Sequence, residues 1–278
     1  MNTLRTADGL DLHLHAWPVS GPQAAVALLH GYGEHAGRYD HVARAFNERG
    51  IAVYAVDLRG HGRSPGSRAH VDAFTDYHRD ADALVLHVKE RHPGVPLFVF
   101  AHSMGALVYL HWALAGRGQD LRGVCLSSPF LGIQIPVSGA KAAAGRLLSK
   151  VLPKMGLPSG LNGAAVTRDP EMAKKYDSDP LMNKNAGARW FTEAMAAIDK
   201  VLSQAHQLER PLLLLYGGDD RVANADATDK LVAKLTMKDR TVERLPGHYH
   251  ELVNEPLEVR NGLIRRYGDW ILEKAKNP

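Results

Sequence analysis

The stretch LFVFAHSMGALVY, residues 97–109, decides how the rest of the chain is interpreted. It starts as an apolar run typical of a buried parallel strand and ends as an apolar helical segment. Between the two, Ser103 has the small residues Ala101 and Gly105 two positions before and after it. Small residues there leave room for the sharp strand-to-helix turn called a nucleophile elbow. The stretch therefore predicts that Ser103 is a nucleophile.

Further apolar runs on both sides of this stretch predict a mainly parallel sheet. An alternating segment at residues 10–17 follows an Asp8-Gly9 turn and predicts the second arm of an antiparallel hairpin, whose first arm is residues 3–6. Continuous runs predict the strands 24–30, 51–57, 96–101, 121–127, 211–216 and 240–245. Helical patterns occupy 38–49, 74–91, 225–235 and 256–274. This alternation predicts an α/β fold with eight strands and helices on both faces of the sheet.

The alternation stops between residues 129 and 210, where no run resembles a strand of the sheet. Helical pieces at 141–152 and 189–205 predict a helical cap, or lid, inserted after the sixth strand. The core is then expected to comprise residues 1–128 and 211–278. In the first helical piece and just after it, four cationic residues alternate with apolar ones: Lys141, Arg146, Lys150 and Lys154 with Leu147, Leu148, Val151 and Leu152. Such a pattern fits either a helix lying on an anionic lipid surface or an ordinary lid helix with a solvated face.

Composition excludes several classes of protein. The chain has 278 residues, 45% of them hydrophobic, 23% charged, and a net charge of +4. This charge is too small to indicate nucleic acid as the main partner. Cys125 is the only cysteine, which excludes an internal disulfide and a cysteine-based metal centre. The sequence has neither an apolar stretch of membrane-spanning length nor a signal-like N-terminus, so we expect a cytoplasmic protein.

A serine hydroxyl needs a base and an orienting acid to become a nucleophile, and both follow later strands. In this architecture the acid comes before the histidine along the chain. Asp219 and Asp220 follow the strand at 211–216, whereas His248 and His250 follow the last strand. Because the carboxyl ends of parallel strands meet at one edge of the sheet, these groups are expected to approach Ser103. Either aspartate and either histidine satisfies the pattern.

Two backbone N–H groups are expected to bind the oxyanion of a tetrahedral intermediate. The Met104 N–H follows the serine directly. The second donor is expected from the loop HGYGEH at residues 30–35, where glycines flank Tyr32 and let the chain present its amide.

Several motifs resemble those of monoacylglycerol lipases and their lysophospholipase relatives, which are α/β-hydrolases related to the S33 serine aminopeptidases. They comprise HGYGEH at 30–35 with Arg38-Tyr39, DLRGHGRS at 57–64, HSMG at 102–105, SDPL at 178–181, GDDR at 218–221 and Tyr249-His250. The resemblance runs from about residue 10 to the C-terminus. It implies an α/β-hydrolase fold with a helical cap and the hydrolysis of monoacylglycerols without a cofactor.

The same resemblance selects among the alternatives for the site. It implies Ser103 as nucleophile, Asp220 as acid because it precedes Arg221, and His250 as base because it follows Tyr249. The resemblance implies a lipid ester as the small-molecule substrate, and a peripheral contact of the cap with membranes stays a hypothesis. A lysophospholipase or a general carboxylesterase is the alternative. A proline-type aminopeptidase or a non-catalytic binding protein represents a different class on the same fold.

Paired histidines raise the question of a metal site. His13 and His15, like His248 and His250, lie on one side of an extended chain. No carboxylate cluster at ligand spacing accompanies either pair in the sequence, so no metal site is expected. His13 and His15 are expected to face solvent on the hairpin.

Overall fold

A computed structural model describes residues 2–68, 70–134 and 148–276. Its main sheet has eight strands, in the spatial order β1-β2-β4-β3-β5-β6-β9-β10. In chain order these strands are β1 (Thr3–Arg5), β2 (Asp11–Trp17), β3 (Ala24–Leu29), β4 (Ile51–Val56), β5 (Leu97–His102), β6 (Gly123–Ser127), β9 (Leu212–Gly217) and β10 (Arg240–Leu245). Two further strands, β7 (Gly156–Pro158) and β8 (Asn185–Gly187), form a separate antiparallel pair.

The sheet is parallel except at one edge. β1 pairs with β2, and β2 with β4, in antiparallel register. Gly9, with φ of +86°, occupies the hairpin turn expected from the sequence. β3, β4, β5, β6 and β9 are buried along their whole length. Burial on both faces explains why these strands appear in the sequence as continuous apolar runs.

Helices cover both faces of the sheet. They are α1 (Asp40–Asn47), α2 (Asp76–Arg91), α3 (Met104–Ala113), α4 (Gly163–Val166), α5 (Pro170–Ser178), α6 (Ala188–Gln204), α7 (Ala225–Val232) and α8 (Leu257–Lys276). One apolar cluster joins Val26 of β3 to residues of α1 and α8. The other joins Ala27, the next residue but on the opposite face, to α2, α3 and α6. The predicted fold class is thus confirmed.

The chain between β6 and β9 contributes no strand to the main sheet within the described residues. It contains α4, α5 and α6 together with the β7–β8 pair, which the sequence analysis did not anticipate. Strands of three residues are too short to give a period-two pattern. The exact limits of the cap, 129 and 210, stay a prediction. The predicted basic helix at 141–152 lies largely outside the described residues, as do Lys141 and Arg146.

The parallel strands bring the predicted site residues to one edge. The loop after β3 carries Tyr32, the turn after β5 carries Ser103, and the loops after β9 and β10 carry Asp220 and His250. No helix in the described residues is long and apolar enough to cross a bilayer.

Candidate active site

Ser103 lies in a strained turn between β5 and α3. Its backbone has φ of +51° and ψ of −115°, a conformation that costs a non-glycine residue about 1–3 kcal/mol. The turn fits because Gly105 lies against the end of β3: a Cβ there would lie 2.3 Å from the Leu29 carbonyl oxygen. The small residue predicted from the sequence is therefore required by a backbone contact, and the turn lifts the Ser103 hydroxyl above the sheet edge.

Ser103, His250 and Asp220 form a continuous hydrogen-bonded chain. The Ser103 hydroxyl lies 2.8 Å from His250 Nε2, and His250 Nδ1 lies 2.7 Å from Asp220 Oδ2. With the proton on Nδ1 donated to the carboxylate, Nε2 is free to accept the hydroxyl proton. All three residues are buried, so bulk water is largely kept from these hydrogen bonds.

The structure distinguishes the two pairs of alternatives. Asp220 is buried, and its Oδ1 accepts hydrogen bonds from the N–H groups of Val222 and Ala223 at 2.8 and 2.9 Å. Asp219 is exposed. His248 donates from Nδ1 to the Pro246 carbonyl at 2.8 Å and lies outside the chain of hydrogen bonds. Geometry thus places Asp220 and His250 beside the serine.

Two neighbouring histidines have opposite electrostatic environments. Burial opposes a charge on His250, yet the adjacent Asp220 carboxylate outweighs it and raises the pKa of His250 above 6.5. For His102, burial and the neighbouring His250 lower the pKa to about 4. Its ring centroid is 4.8 Å from that of His250, and its Nδ1 donates to the Ser127 carbonyl at 3.1 Å. His102 therefore stays neutral and fills space behind the base.

The N–H groups of Tyr32 and Met104 lack acceptors among the described residues. For Met104 this follows from its position, because the first N–H groups of a helix have no partner within the helix. The positive end of the dipole of α3 adds a favourable field for an anion. Both groups are thus available to a ligand, and their role as oxyanion donors stays a prediction.

A buried ionic network, which the sequence analysis missed, supports these loops. Arg38 forms two hydrogen bonds to Glu251, at 2.7 and 2.8 Å, and a short ion pair with Glu34. Glu34 also accepts from the Gly31 N–H at 2.6 Å. The side chains of Arg38, Glu34 and Glu251 are 8%, 3% and 5% exposed. Because Glu251 follows His250, one guanidinium connects the loop of the expected oxyanion donor to the loop of the base. The only signal in the sequence was that Glu34 and Arg38 belong to one of the motifs quoted above and that Glu251 directly follows His250.

An apolar cavity opens over Ser103. Glu34, Glu251, His102, Ser103 and His250 form its polar base. Most other lining residues are aliphatic or aromatic, and several come from the segment between β6 and β9: Phe130, Ile133, Leu161, Val166, Tyr176, Trp190 and Phe191. The cavity therefore suits an apolar group attached to the carbonyl that Ser103 would attack.

One cluster of possible metal ligands lies elsewhere, on the hairpin. His13, His15 and Asp57 have ligand atoms within 4.8 Å of one another. The sequence showed no carboxylate beside His13 and His15, but the loop after β4 brings Asp57 to them. Both histidines are half-buried and do not simply face solvent. However, Asp57 already accepts hydrogen bonds from His15 Nε2 and from the N–H groups of Ala36 and Arg63. These hydrogen bonds explain why the three side chains lie together, because they hold the loop after β4 against the hairpin.

Comparisons with known proteins show which proteins the chain is similar to. A family model described as "Serine aminopeptidase, S33" (Hydrolase_4) matches residues 20–257. A monoacylglycerol lipase from Mycolicibacterium smegmatis is 35% identical over 251 residues, which are 89% of each chain. Phospholipase YtpA from Bacillus subtilis is 30% identical over 241 residues, covering 86% of this chain and 92% of that protein.

A solved structure is similar over nearly the full length. The monoacylglycerol lipase of Paleococcus ferrophilus superimposes with a TM-score of 0.85 at 28% identity, covering 95% of this chain and 99% of that one. The α/β-hydrolase fold implied by the sequence motifs is thereby confirmed.

Proposed function

The chain belongs to the Hydrolase_4 family, and we propose that it is a serine hydrolase of lipid esters, with monoacylglycerols as the main substrates. The observation that carries this proposal is the hydrogen-bonded chain from Ser103 through His250 to Asp220 at the base of an apolar cavity. A reactive hydroxyl below an apolar cavity is what an ester with a long acyl group requires.

The reaction proceeds through an acyl-serine intermediate. His250 Nε2 accepts the proton of the Ser103 hydroxyl while Oγ forms a bond to the ester carbonyl carbon. Asp220 holds the imidazole in the required tautomer and stabilises its cation. When the tetrahedral intermediate collapses, the bond to the alcohol oxygen breaks, and that oxygen takes the proton from His250. Glycerol leaves in this step.

Water completes the cycle by the same route. His250 removes a proton from water, whose oxygen attacks the acyl carbon. The second intermediate collapses to the fatty acid, and Oγ recovers a proton from His250. In both halves the N–H groups of Tyr32 and Met104 bind the carbonyl oxygen, where negative charge develops.

The cavity favours esters over peptides with a free N-terminus. An aminopeptidase needs an unpaired acidic group to bind the substrate ammonium. Glu34 and Glu251 are the carboxylates that line the described cavity, and both are already paired with Arg38. A lysophospholipid is the second candidate, since it presents the same ester and acyl chain and one relative is named as a phospholipase.

Contact with a lipid surface is a further part of the proposal. Val151 and Leu152 are 67% and 52% exposed, although both are large apolar residues. Lys150 and Lys154 flank them along the chain. Apolar side chains beside lysines suit the boundary of an anionic bilayer, where the substrate resides.

Replacement of the nucleophile tests the proposal. Wild-type protein, Ser103→Ala and the control Ser203→Ala, which alters an exposed serine on α6, are assayed against four substrates. These are p-nitrophenyl esters of graded length, 2-monoacylglycerol, lysophosphatidylcholine and a prolyl anilide. We expect wild type and Ser203→Ala to hydrolyse the esters, while Ser103→Ala is inactive with an unchanged melting temperature. Turnover of the anilide alone would overturn the substrate class, and ester turnover by Ser103→Ala would overturn the mechanism.

A further inference from the structure

The loop at residues 30–35, called the oxyanion loop below, is hydrogen-bonded to a turn of the cap as well as to the core. The cap turn, residues 179–185, makes three such contacts. His35 Nε2 donates to Asp179 Oδ2 at 2.9 Å, the Asn183 N–H donates to the Gly33 carbonyl at 2.7 Å, and the Tyr32 hydroxyl donates to the Asn185 carbonyl at 2.7 Å. The cap turn thus contacts the oxyanion loop at three of its six residues.

The two segments approach each other at backbone distance. Gly33 has φ of +73°, and a Cβ at this position would lie 2.6 Å from the Asn183 carbonyl oxygen. Only glycine avoids both the backbone strain and the collision. The close approach leaves no space for water between the segments here, so a displacement of the cap turn moves the oxyanion loop or breaks its hydrogen bonds.

Asp179 has two functions in this arrangement. Its Oδ1 accepts from the Leu181 N–H at 2.8 Å and shapes the cap turn, while its Oδ2 binds His35. Burial tends to raise the pKa of Asp179, but the hydrogen bond and charge of His35, together with the hydrogen bond from the Leu181 N–H, outweigh it and hold the pKa below 3.8. One carboxylate therefore fixes the turn and attaches it to the oxyanion loop.

The opposite side of the oxyanion loop is attached to the core. Glu34 accepts from the Gly31 N–H and pairs with Arg38. Tyr32 lies between these two attachments, with its ring 3.7 Å from that of Trp190 on α6. The direction of the Tyr32 N–H consequently depends on the cap turn as well as on the core.

We propose that Asp179, acting through His35, and the backbones of Asn183 and Asn185 are positioning groups that aim the Tyr32 N–H at the reacting carbonyl oxygen. This inference rests on the proposed function, because it assigns the cap a part in the same oxyanion site. The cap turn touches no reacting group. Its contribution is therefore expected in the stabilisation of the tetrahedral intermediate and not in the binding of the substrate.

The main test compares two carboxylates of the cap. Asp179→Ala removes the contact with His35. Asp177→Ala is the matched control, since it also deletes a carboxylate that accepts one backbone hydrogen bond, from Gly163 at 2.9 Å, yet it does not touch the oxyanion loop. Both variants are assayed for kcat and KM with p-nitrophenyl butyrate, for melting temperature, and for inhibition by an alkyl boronic acid, which forms a tetrahedral adduct with a reactive serine.

We expect Asp179→Ala to lose about tenfold in kcat, less than the roughly 100-fold or more that follows from deleting an oxyanion donor outright. The boronate Ki is expected to rise by the same factor while KM changes little. Asp177→Ala is expected to keep kcat and Ki. His35→Gln, whose amide can still donate to Asp179, is expected to retain activity, whereas His35→Ala combined with Asp179→Ala is expected to lose no more than either single change.

Tyr32→Phe provides a second measurement if Asp179→Ala fails to fold. It removes the hydroxyl that donates to Asn185 but keeps the backbone N–H, and it is expected to lower kcat and weaken the boronate together. Equal kcat and Ki in Asp179→Ala and Asp177→Ala would overturn the proposal. Failure of the wild-type protein to form the boronate adduct would instead refute the proposed function, so the two failures are distinguishable.

Discussion

Addition of one methyl group at Gly105 should disable the site while leaving the fold intact. In Gly105→Ala the new Cβ would lie 2.3 Å from the Leu29 carbonyl oxygen and 2.6 Å from that of His30. Both obstacles are backbone atoms at the end of β3, so no side-chain rotation relieves the contact. The start of α3, which carries the Ser103 turn, must therefore move away from the oxyanion loop.

The size of the effect follows from the displacement. Bringing this Cβ to an ordinary contact distance requires a shift of about 1 Å. A misplacement of about 1 Å between reacting groups can cost about 100-fold in rate, because the near-attack geometry is lost. Overpacking of this kind destabilises a protein by about 1–3 kcal/mol. The higher helix propensity of alanine offsets up to about 1 kcal/mol of that cost.

Gly262→Ala is the matched control for this prediction. Gly262 lies within α8, and no atom beyond its chain neighbours and the backbone of its own helix would come within 4 Å of its added Cβ. We expect this variant to keep its kcat/KM for p-nitrophenyl butyrate and to unfold at a slightly higher temperature. Gly105→Ala is expected to lose about 100-fold in kcat/KM yet to unfold cooperatively. A kcat/KM for Gly105→Ala close to that of the wild type would refute the argument from backbone contact.

Four other outcomes are expected. Asp220→Asn should lower kcat by about 10,000-fold, as measured with the same ester, because it favours the wrong imidazole tautomer. Since Asp220 raises the pKa of His250 above 6.5, kcat/KM of the wild type should decrease as the pH is lowered through that pKa and His250 becomes protonated. A kcat/KM that stays constant from pH 8 to 5 would contradict this. Arg38→Met should lower the free energy of unfolding by about 3–5 kcal/mol in urea titrations, since it leaves Glu34 and Glu251 buried without a cation. Cys125 is fully buried, which raises the pKa of its thiol, so iodoacetamide should leave the native enzyme active and unmodified.

The sequence was sufficient for the fold because each central strand is buried on both faces. The predicted strand at 24–30 is observed as Ala24–Leu29, and the predicted strand at 51–57 as Ile51–Val56. In such strands every position is occupied by an apolar residue, so the end of the strand can be recognised by the first polar residues that follow. The nucleophile elbow was also predictable from the sequence, because a close backbone contact with the end of β3 requires a small residue at position 105.

Contacts between segments that are far apart along the chain could not be predicted from the sequence. Arg38 and Glu251 are 213 positions apart, and His35 and Asp179 are 144 positions apart. Side-chain type gives no pairing information for charged residues, which usually face water. His13 and His15 were misjudged for the same reason, because their partner Asp57 arrives from a loop 42 positions after His15. Local periodicity predicts which face a residue occupies, whereas burial of a charge depends on what packs over it.

Two of the buried ion pairs of the site, His250–Asp220 and Arg38–Glu34, depend on pH in opposite directions. The raised pKa of His250 means that its pair with Asp220 stabilises the fold fully below pH 6.5, and this contribution is lost as the pH rises through the folded-state value. For Glu34, burial raises the pKa, but Arg38, together with the nearby histidines His102 and His30 and the hydrogen bond from Tyr39, outweighs burial and lowers it to about 2. This contribution is therefore present above pH 4.5 and is lost as the pH falls toward 2. Both contributions are complete only between these limits. Catalysis needs a neutral His250 and therefore operates at higher pH, where the histidine no longer stabilises the fold and the Glu34–Arg38 pair still holds the oxyanion loop.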